Sequence, residues 1–174
     1  MFRALMALRV CLVAALLTMG AIAGFFYAYE VSVTRGLARV DDGTYVTGMK
    51  AINAVVRNAP FAASFFGAPI LTLAALILAA AALGRRSPVV WLAAAAFAVY
   101  AVGGFGITMT QNVPLNEHLA TVSATPGGSL AAERADYESA WNDWNTIRTL
   151  ASLAAFALLA AATTLLPGGG RADA

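Results

Sequence analysis

"LILAAAALGRRSPVVWLAAAAF", residues 76–97, sets two uncharged apolar runs on either side of five residues, Gly84 to Pro88. Only a helix or a closed barrel satisfies its backbone hydrogen bonds inside lipid. Alanine and leucine dominate both runs and period-two alternation is absent, so the runs read as helices and the "GRRSP" between them as a tight turn. A spanning helix needs about 20 apolar residues. Working outward, four stretches reach that length: residues 7–29, 61–83, 89–109 and 147–166. The 174-residue chain is 60% apolar and only 11% charged, with a positive mean hydropathy. The expected fold is all-α, an integral membrane four-helix bundle forming a single domain over residues 1–174, with the lipid bilayer as its first partner.

Charge narrows the function classes. A net charge of +2 gives no basis for nucleic-acid binding. One cysteine, Cys11, lies in the first span, cannot form an intramolecular disulfide and reads as packing. "MFRALMALRV" followed by "CLVAALLTMGAIA" has the shape of a signal peptide with small residues at Ala21 and Ala23. The apolar run continues through "GFFYAY", which suits a retained span better. Basic residues are divided between both ends of the bundle, and eight acids lie on the side with the long connections. The compact Arg85–Arg86 turn is therefore the best orientation marker, and it places both termini in the cytoplasm of a multi-pass cell-membrane protein.

The two connections opposite that turn are longer and richer. Asp41 or Asp42 can cap a short extra helix near Gly43 in the first of them. Met49, Ile52, Asn53 and Val56 recur there at helical spacing, so Asn53 shares an apolar face and needs a hydrogen-bond partner. Asn58, before "AP", reads as the end of that helix. In the second connection "TPGG", Thr125 to Gly128, reads as a turn and Ser129 as the cap of an extended last helix. "PGGG", from Pro167, reads as its stop. Tyr137, Trp141, Trp144, Asn145 and Arg148 fall on one face of the last helix.

Polar candidates gather at this end. Glu30 closes the first span; Gly20, Gly24, Tyr27 and Thr34 share its approximate face, which is expected to turn inward. An ionisable group there needs a partner, and Arg148 is the natural one, with Arg35 the local alternative. "QNVPLNEHLA", residues 111–120, carries Asn112 and Asn116 one turn apart, and His118, the only histidine. One histidine cannot make a histidine-rich metal centre, and no metal or cofactor is assigned. His118 is the group whose reference pKa lies nearest neutrality. Asn112, Asn116, Asn145 and Arg148 can present several donors to one point, as a developing oxyanion requires, or can equally satisfy the local backbone.

"GFFYAYEVSVTRGL", "MKAINAVVRNAPF", "NVPLNEHL" and "WNDWNTIR" occur in an order that resembles the anthrone oxygenase-like integral membrane family. The resemblance runs from about Gly24 to Leu150, with "N-x-P-L-N" and "W-x-x-W-N-x-x-R" as its most specific parts. It implies four spans, and in fungal relatives the oxidation of an anthrone to an anthraquinone with molecular oxygen. Its pattern falls on Asn53, Asn112, Pro114, Leu115, Asn116, Trp141, Trp144, Asn145 and Arg148. The resemblance implies histidine after "WN" in many relatives, where this chain has Thr146, which puts transfer of a catalytic base in question. The reading is a cofactor-independent oxygenase acting on a hydrophobic aromatic molecule. Glu30 or His118 would serve as base, Arg148 and the asparagines Asn53, Asn112, Asn116 and Asn145 as polar contacts, and Tyr137, Trp141 and Trp144 as walls. The alternative is a non-catalytic membrane protein whose polar rim is structural or binds a hydrophobic ligand or partner.

Overall fold

A computed structural model describes residues 2–123 and 129–166. Five helices and no strand occur among the described residues. They are α1 (Arg3–Leu37), α2 (Asp42–Val55), α3 (Ala59–Leu83), α4 (Pro88–Thr121) and α5 (Leu130–Thr164). All but α2 are long and apolar enough to cross a membrane, and the chain is a multi-pass membrane protein. The expected Thr125–Gly128 turn and the "PGGG" stop lie outside the described residues.

Local chemistry sets the helix ends. Asp41 caps α2: its Oδ1 accepts from Thr44 N at 3.0 Å and its Oδ2 from the Thr44 hydroxyl at 2.6 Å. These two bonds hold the exposed Asp41 carboxyl below its usual pKa. Asn58 serves two helices. Its Nδ2 donates to Val55 O at 2.8 Å, closing α2, and its Oδ1 accepts from Phe61 N at 3.0 Å, opening α3. Gly84 ends α3 with φ +81°, a conformation only glycine adopts without strain, so the tight turn after α3 requires it. Ser129 Oγ accepts from Ala132 N at the start of α5.

The four long helices form a ring in which α1 neighbours α3 and α5, and α4 neighbours α3 and α5. At the short-turn end the core is aliphatic, built on Leu8, Leu12, Met19, Ala75 and Leu159. Small residues bring α4 and α5 together: a Cβ on Gly103 would stand 2.5 Å from Ala151 Cβ. At the long-loop end a second, aromatic cluster of Tyr29, Tyr45, Met49, Leu119, Tyr137 and Trp141 joins α2 to α1, α4 and α5. With 35 residues, α5 is about 52 Å long, well beyond the roughly 30 Å hydrocarbon layer. Its first turns therefore carry this cap. Arg134 ties α5 down by donating to Val40 O, Ala38 O, Asp42 and Glu138, while its guanidinium lies 4.5 Å from the centre of the Tyr45 ring. Burial raises the Tyr45 phenol above its usual pKa, and Glu138 raises it further.

The backbone departs from a regular α-helix at three places near this end: Tyr29–Val33 in α1, and Tyr100–Gly106 and Thr108–Asn112 in α4 are π-helical. Widening keeps Tyr100, Gly104, Thr108 and Asn112 of α4 on one buried face, while the buried face of α1 follows the regular spacing of Met19, Ile22, Phe26 and Tyr29. Tyr29 is buried, whereas Gly24 and Tyr27, expected inside, are exposed. Of the two glycines in that expected stripe, Gly20 meets a neighbouring helix closely, lying under the Phe156 ring, and Gly24 does not. Side chains satisfy carbonyls along the widened turns: Thr34 Oγ1 donates to Tyr29 O, Arg35 Nε to Glu30 O, and Thr108 Oγ1 to Gly104 O.

Candidate functional site

Beneath α2, the long helices leave a cavity of about 80 Å³. α1 contributes Phe25, Phe26 and Tyr29 to its wall, α2 Asn53, and α3 Phe61. α4 contributes Thr108, Asn112 and Asn116, and α5 contributes Trp141 and Arg148. Two of the π-helical segments border it, and the one in α4 contributes both Thr108 and Asn112.

Arg148 is 5% exposed. Its Nε and Nη2 donate to the same atom, Asn145 Oδ1, at 3.2 and 3.1 Å. Its Cζ lies 4.5 Å from the Phe26 ring centre and 4.7 Å from that of Trp141, so aromatic faces flank the cation. Among the described residues no carboxylate pairs with it, and Nη1 makes no hydrogen bond. Burying a cation costs several kcal/mol after relaxation unless it is compensated. Asn112, fully buried, adds a second imbalance: Nδ2 donates to Trp141 O at 3.3 Å while Oδ1 has no partner. Buried polar atoms are normally paired, so a cation and an acceptor are left wanting partners on one cavity.

The direct Glu30–Arg148 pair expected from sequence is replaced by a relay. Asn145 Nδ2 donates to Glu30 Oε2 at 3.2 Å while Asn145 Oδ1 accepts from the guanidinium. Thr146 Oγ1 donates to the same Glu30 oxygen at 2.9 Å. Thr146 thus sits on Glu30. An amide fits between the two charges because it offers a donor to one and an acceptor to the other. Arg35, the local alternative, reaches only the Glu30 backbone carbonyl. Glu30 itself is half-buried and does not line the cavity.

The other candidates separate into distinct groups. Asn116 Oδ1 accepts from the Tyr137 hydroxyl at 2.7 Å and Trp141 Nε1 at 2.8 Å, and Asn53 Nδ2 donates to the Tyr137 hydroxyl at 3.2 Å. This is a clip joining α2, α4 and α5, and it supplies the partner that Asn53 required. Trp144 is half-buried and lines no part of the cavity. His118 is exposed; its Nε2 stands 3.5 Å from Glu133 Oε2 over a separate surface cleft. The structure therefore brings together Arg148, Asn145, Asn112, Asn116, Asn53, Tyr137, Trp141 and, through the relay, Glu30. It leaves His118 and Trp144 apart. No group of three histidine, cysteine or carboxylate side chains converges among the described residues.

Sequence reasoning passed over Phe26, Tyr29, Phe61 and Thr108 as cavity residues. "GFFYAY" was legible as a motif, but the expected inward face held Gly24 and Tyr27, whereas Phe26 and Tyr29 continue the regular buried spacing of Met19 and Ile22. The anthrone oxygenase family model matches residues 60–158, more than half of the chain. The chain belongs to the anthrone oxygenase family. The match covers α3, α4 and most of α5, and so includes Phe61, Asn112, Asn116, Trp141 and Arg148. No curated protein and no solved structure matches the chain.

Proposed function

We propose that this member of the anthrone oxygenase family holds the ionised oxygen of a hydrophobic, weakly acidic ring compound against Arg148, and so promotes its oxidation by molecular oxygen. The observation that carries the reading is the buried guanidinium, without a carboxylate partner, flanked by Phe26 and Trp141 on the wall of a largely aromatic cavity. A preorganised donor in a site shielded from water stabilises developing negative charge strongly. An anthrone-like ketone, or a phenol, develops such charge on its oxygen when it loses a proton. Arg148 Nη1 is the donor that has no other bond to make. Phe26 and Trp141 fix its plane, and Asn145 and Glu30 fix its position from behind. Tyr29, Phe25 and Phe61 supply apolar and aromatic wall.

Loss of a proton from the methylene across the ring from the carbonyl, conjugated with it through the flanking aromatic rings, gives a carbanion whose charge is delocalised onto the oxygen at Arg148. The carbanion carbon bonds to one atom of O₂, the peroxide regains a proton, and water leaves. The methylene thus becomes a carbonyl, with one oxygen atom retained and the other released in water with both methylene hydrogens. Among the described residues lining the cavity there is no carboxylate or imidazole. The proton therefore leaves to water past Asn53 and Asn116, toward a mouth lined by Arg57 and Glu117. Glu30 acts as a positioning group for Arg148, and His118 stands outside the route. The four spans act as one domain in the cell membrane with both termini cytoplasmic, on the strength of the Arg85–Arg86 turn.

For Asn53, Asn116 and Tyr137 the structural reading is favoured, because their hydrogen bonds run between helices. The test is oxygen uptake by the purified protein across a panel of phenols and tricyclic ketones, with metal analysis in parallel. Uptake that depends on Arg148 supports the oxygenase reading. Phenolate binding without uptake leaves a ligand-binding membrane protein.

A further inference from the structure

The Arg148 cavity is small. At about 80 Å³ it is below the roughly 150 Å³ that admits benzene to a dry protein cavity. A ring can therefore present its oxygen to Arg148 without being wholly enclosed, and the rest of the molecule must lie elsewhere. Beside the cavity, between α3 and the π-helical part of α4, runs a groove of about 570 Å³. Arg57, Phe61, Thr108 and Val113 line both spaces, so their side chains are the wall between them. One end of the groove carries Arg57, Asn58 and Glu117; the other is made by Phe65, Phe66 and Met109, the last two 46% and 45% exposed on the lipid-facing side. Phe61 stacks on Phe65 with ring centres 5.2 to 5.3 Å from Phe25 and Phe65, which places it as a shutter between cavity and groove.

We propose that this groove is the membrane-side access route and extension site for the ligand: a phenolic or enolic ring whose oxygen meets Arg148 and whose apolar remainder lies along Phe65, Phe66 and Met109. The inference rests on the reading of the cavity as an oxyanion site and adds the shape of the molecule it takes. Polarity along the groove runs the same way as polarity along such a ligand, and an apolar molecule dissolved in the bilayer meets the apolar end first. A fused ring system larger than one ring reaches Arg148 only when Phe61 swings aside.

The test measures binding of phenol, 4-octylphenol and 2-naphthol to protein in lipid nanodiscs, each as the ratio of variant to wild type so that partition into lipid cancels. Ala62→Trp fills the groove away from Arg148. It should weaken 4-octylphenol at least tenfold while changing phenol less than twofold. Ser64→Trp, in the other lateral groove between α1 and α3, should change neither by more than twofold. Phe61→Ala should tighten 2-naphthol at least fivefold, a gain that misfolding cannot produce; because Phe61 also borders the groove between α1 and α3, the gain should persist when Ser64→Trp is added and be lost when Ala62→Trp is added. An unchanged 4-octylphenol to phenol ratio in folded Ala62→Trp, or an unchanged 2-naphthol affinity in Phe61→Ala, overturns the groove proposal. Arg148→Gln separates this from the underlying reading: phenol binding that survives it overturns the oxyanion site itself.

Discussion

Replacing Arg148 with glutamine separates stability from function at this site. Glutamine keeps a donor three residues along the helix from Asn145, so Asn145 Oδ1, which now accepts at 3.1 and 3.2 Å, stays paired. The positive charge between Phe26 and Trp141 is lost, and with it about 1–2 kcal/mol for each desolvated ring contact. Against that loss stands the relief of burying a cation that has no carboxylate beside it, which is of order several kcal/mol. The two effects offset, so the unfolding free energy should change by no more than about 2 kcal/mol. Function should respond differently. Removing one oxyanion donor typically costs about 10² to 10³ in rate. Thermal or denaturant unfolding in detergent and oxygen uptake, measured on the same preparation, give both numbers. The reasoning is refuted if the variant loses more than about 4 kcal/mol of stability, twice the bound set by those offsetting effects, because Arg148 is then a structural group. It is refuted equally if the folded variant keeps phenolate binding and uptake within threefold of wild type.

Four further outcomes follow from the same geometry. Asn116→Ala strips the Tyr137 hydroxyl and Trp141 Nε1 of their common acceptor, and at roughly 1–3 kcal/mol for each stranded donor it should lower the unfolding midpoint far more than Arg148→Gln does. Asn112→Leu replaces an amide whose oxygen is already unpaired with hydrocarbon of similar size. Its stability should stay within about 1 kcal/mol of wild type, and affinity for the ionised ligand should not fall, because an acceptor oxygen offers that ligand no donor. His118→Ala removes an exposed side chain with one 3.5 Å contact, so binding and uptake should stay within twofold; a large loss of uptake would bring the histidine back into the chemistry. Because Asp41 is held below its usual pKa in the folded state, its contribution is present above the unfolded pKa and is lost as pH falls through the folded value. Hydrogen exchange should accordingly show α2 fraying first in acid, before α3.

The architecture could be read early because each spanning helix is specified several times over. Apolar length, the absence of alternation and caps at Asp41, Asn58 and Ser129 all point to the same boundaries. The inward face of α5 was legible at Tyr137, Trp141, Asn145 and Arg148 because that stretch keeps a regular α-helical period. α4 does not keep it. Its π-helical turns hold Tyr100, Gly104, Thr108 and Asn112, spaced by fours, on one buried face, so Thr108 joins Asn112 on the cavity. Nothing in the spacing announces such a turn. The Glu30–Arg148 contact was placed at the correct end of the bundle, but a pairwise rule for opposite charges does not foresee an amide standing between them. His118 attracted a role through its chemistry alone, and one residue's side-chain type does not reveal which way its helix faces.

The central claim is that the cavity stabilises an ionised ring oxygen through Arg148. The most direct measurement is the pKa of 4-nitrophenol bound to the protein, read from its phenolate absorbance. A charge-assisted hydrogen bond contributes about 1.5–3 kcal/mol, so the bound pKa should fall by roughly one to two units relative to free ligand, and the fall should vanish in Arg148→Gln. A bound pKa equal to or above that of the free phenol, or a fall that persists without Arg148, would contradict the account.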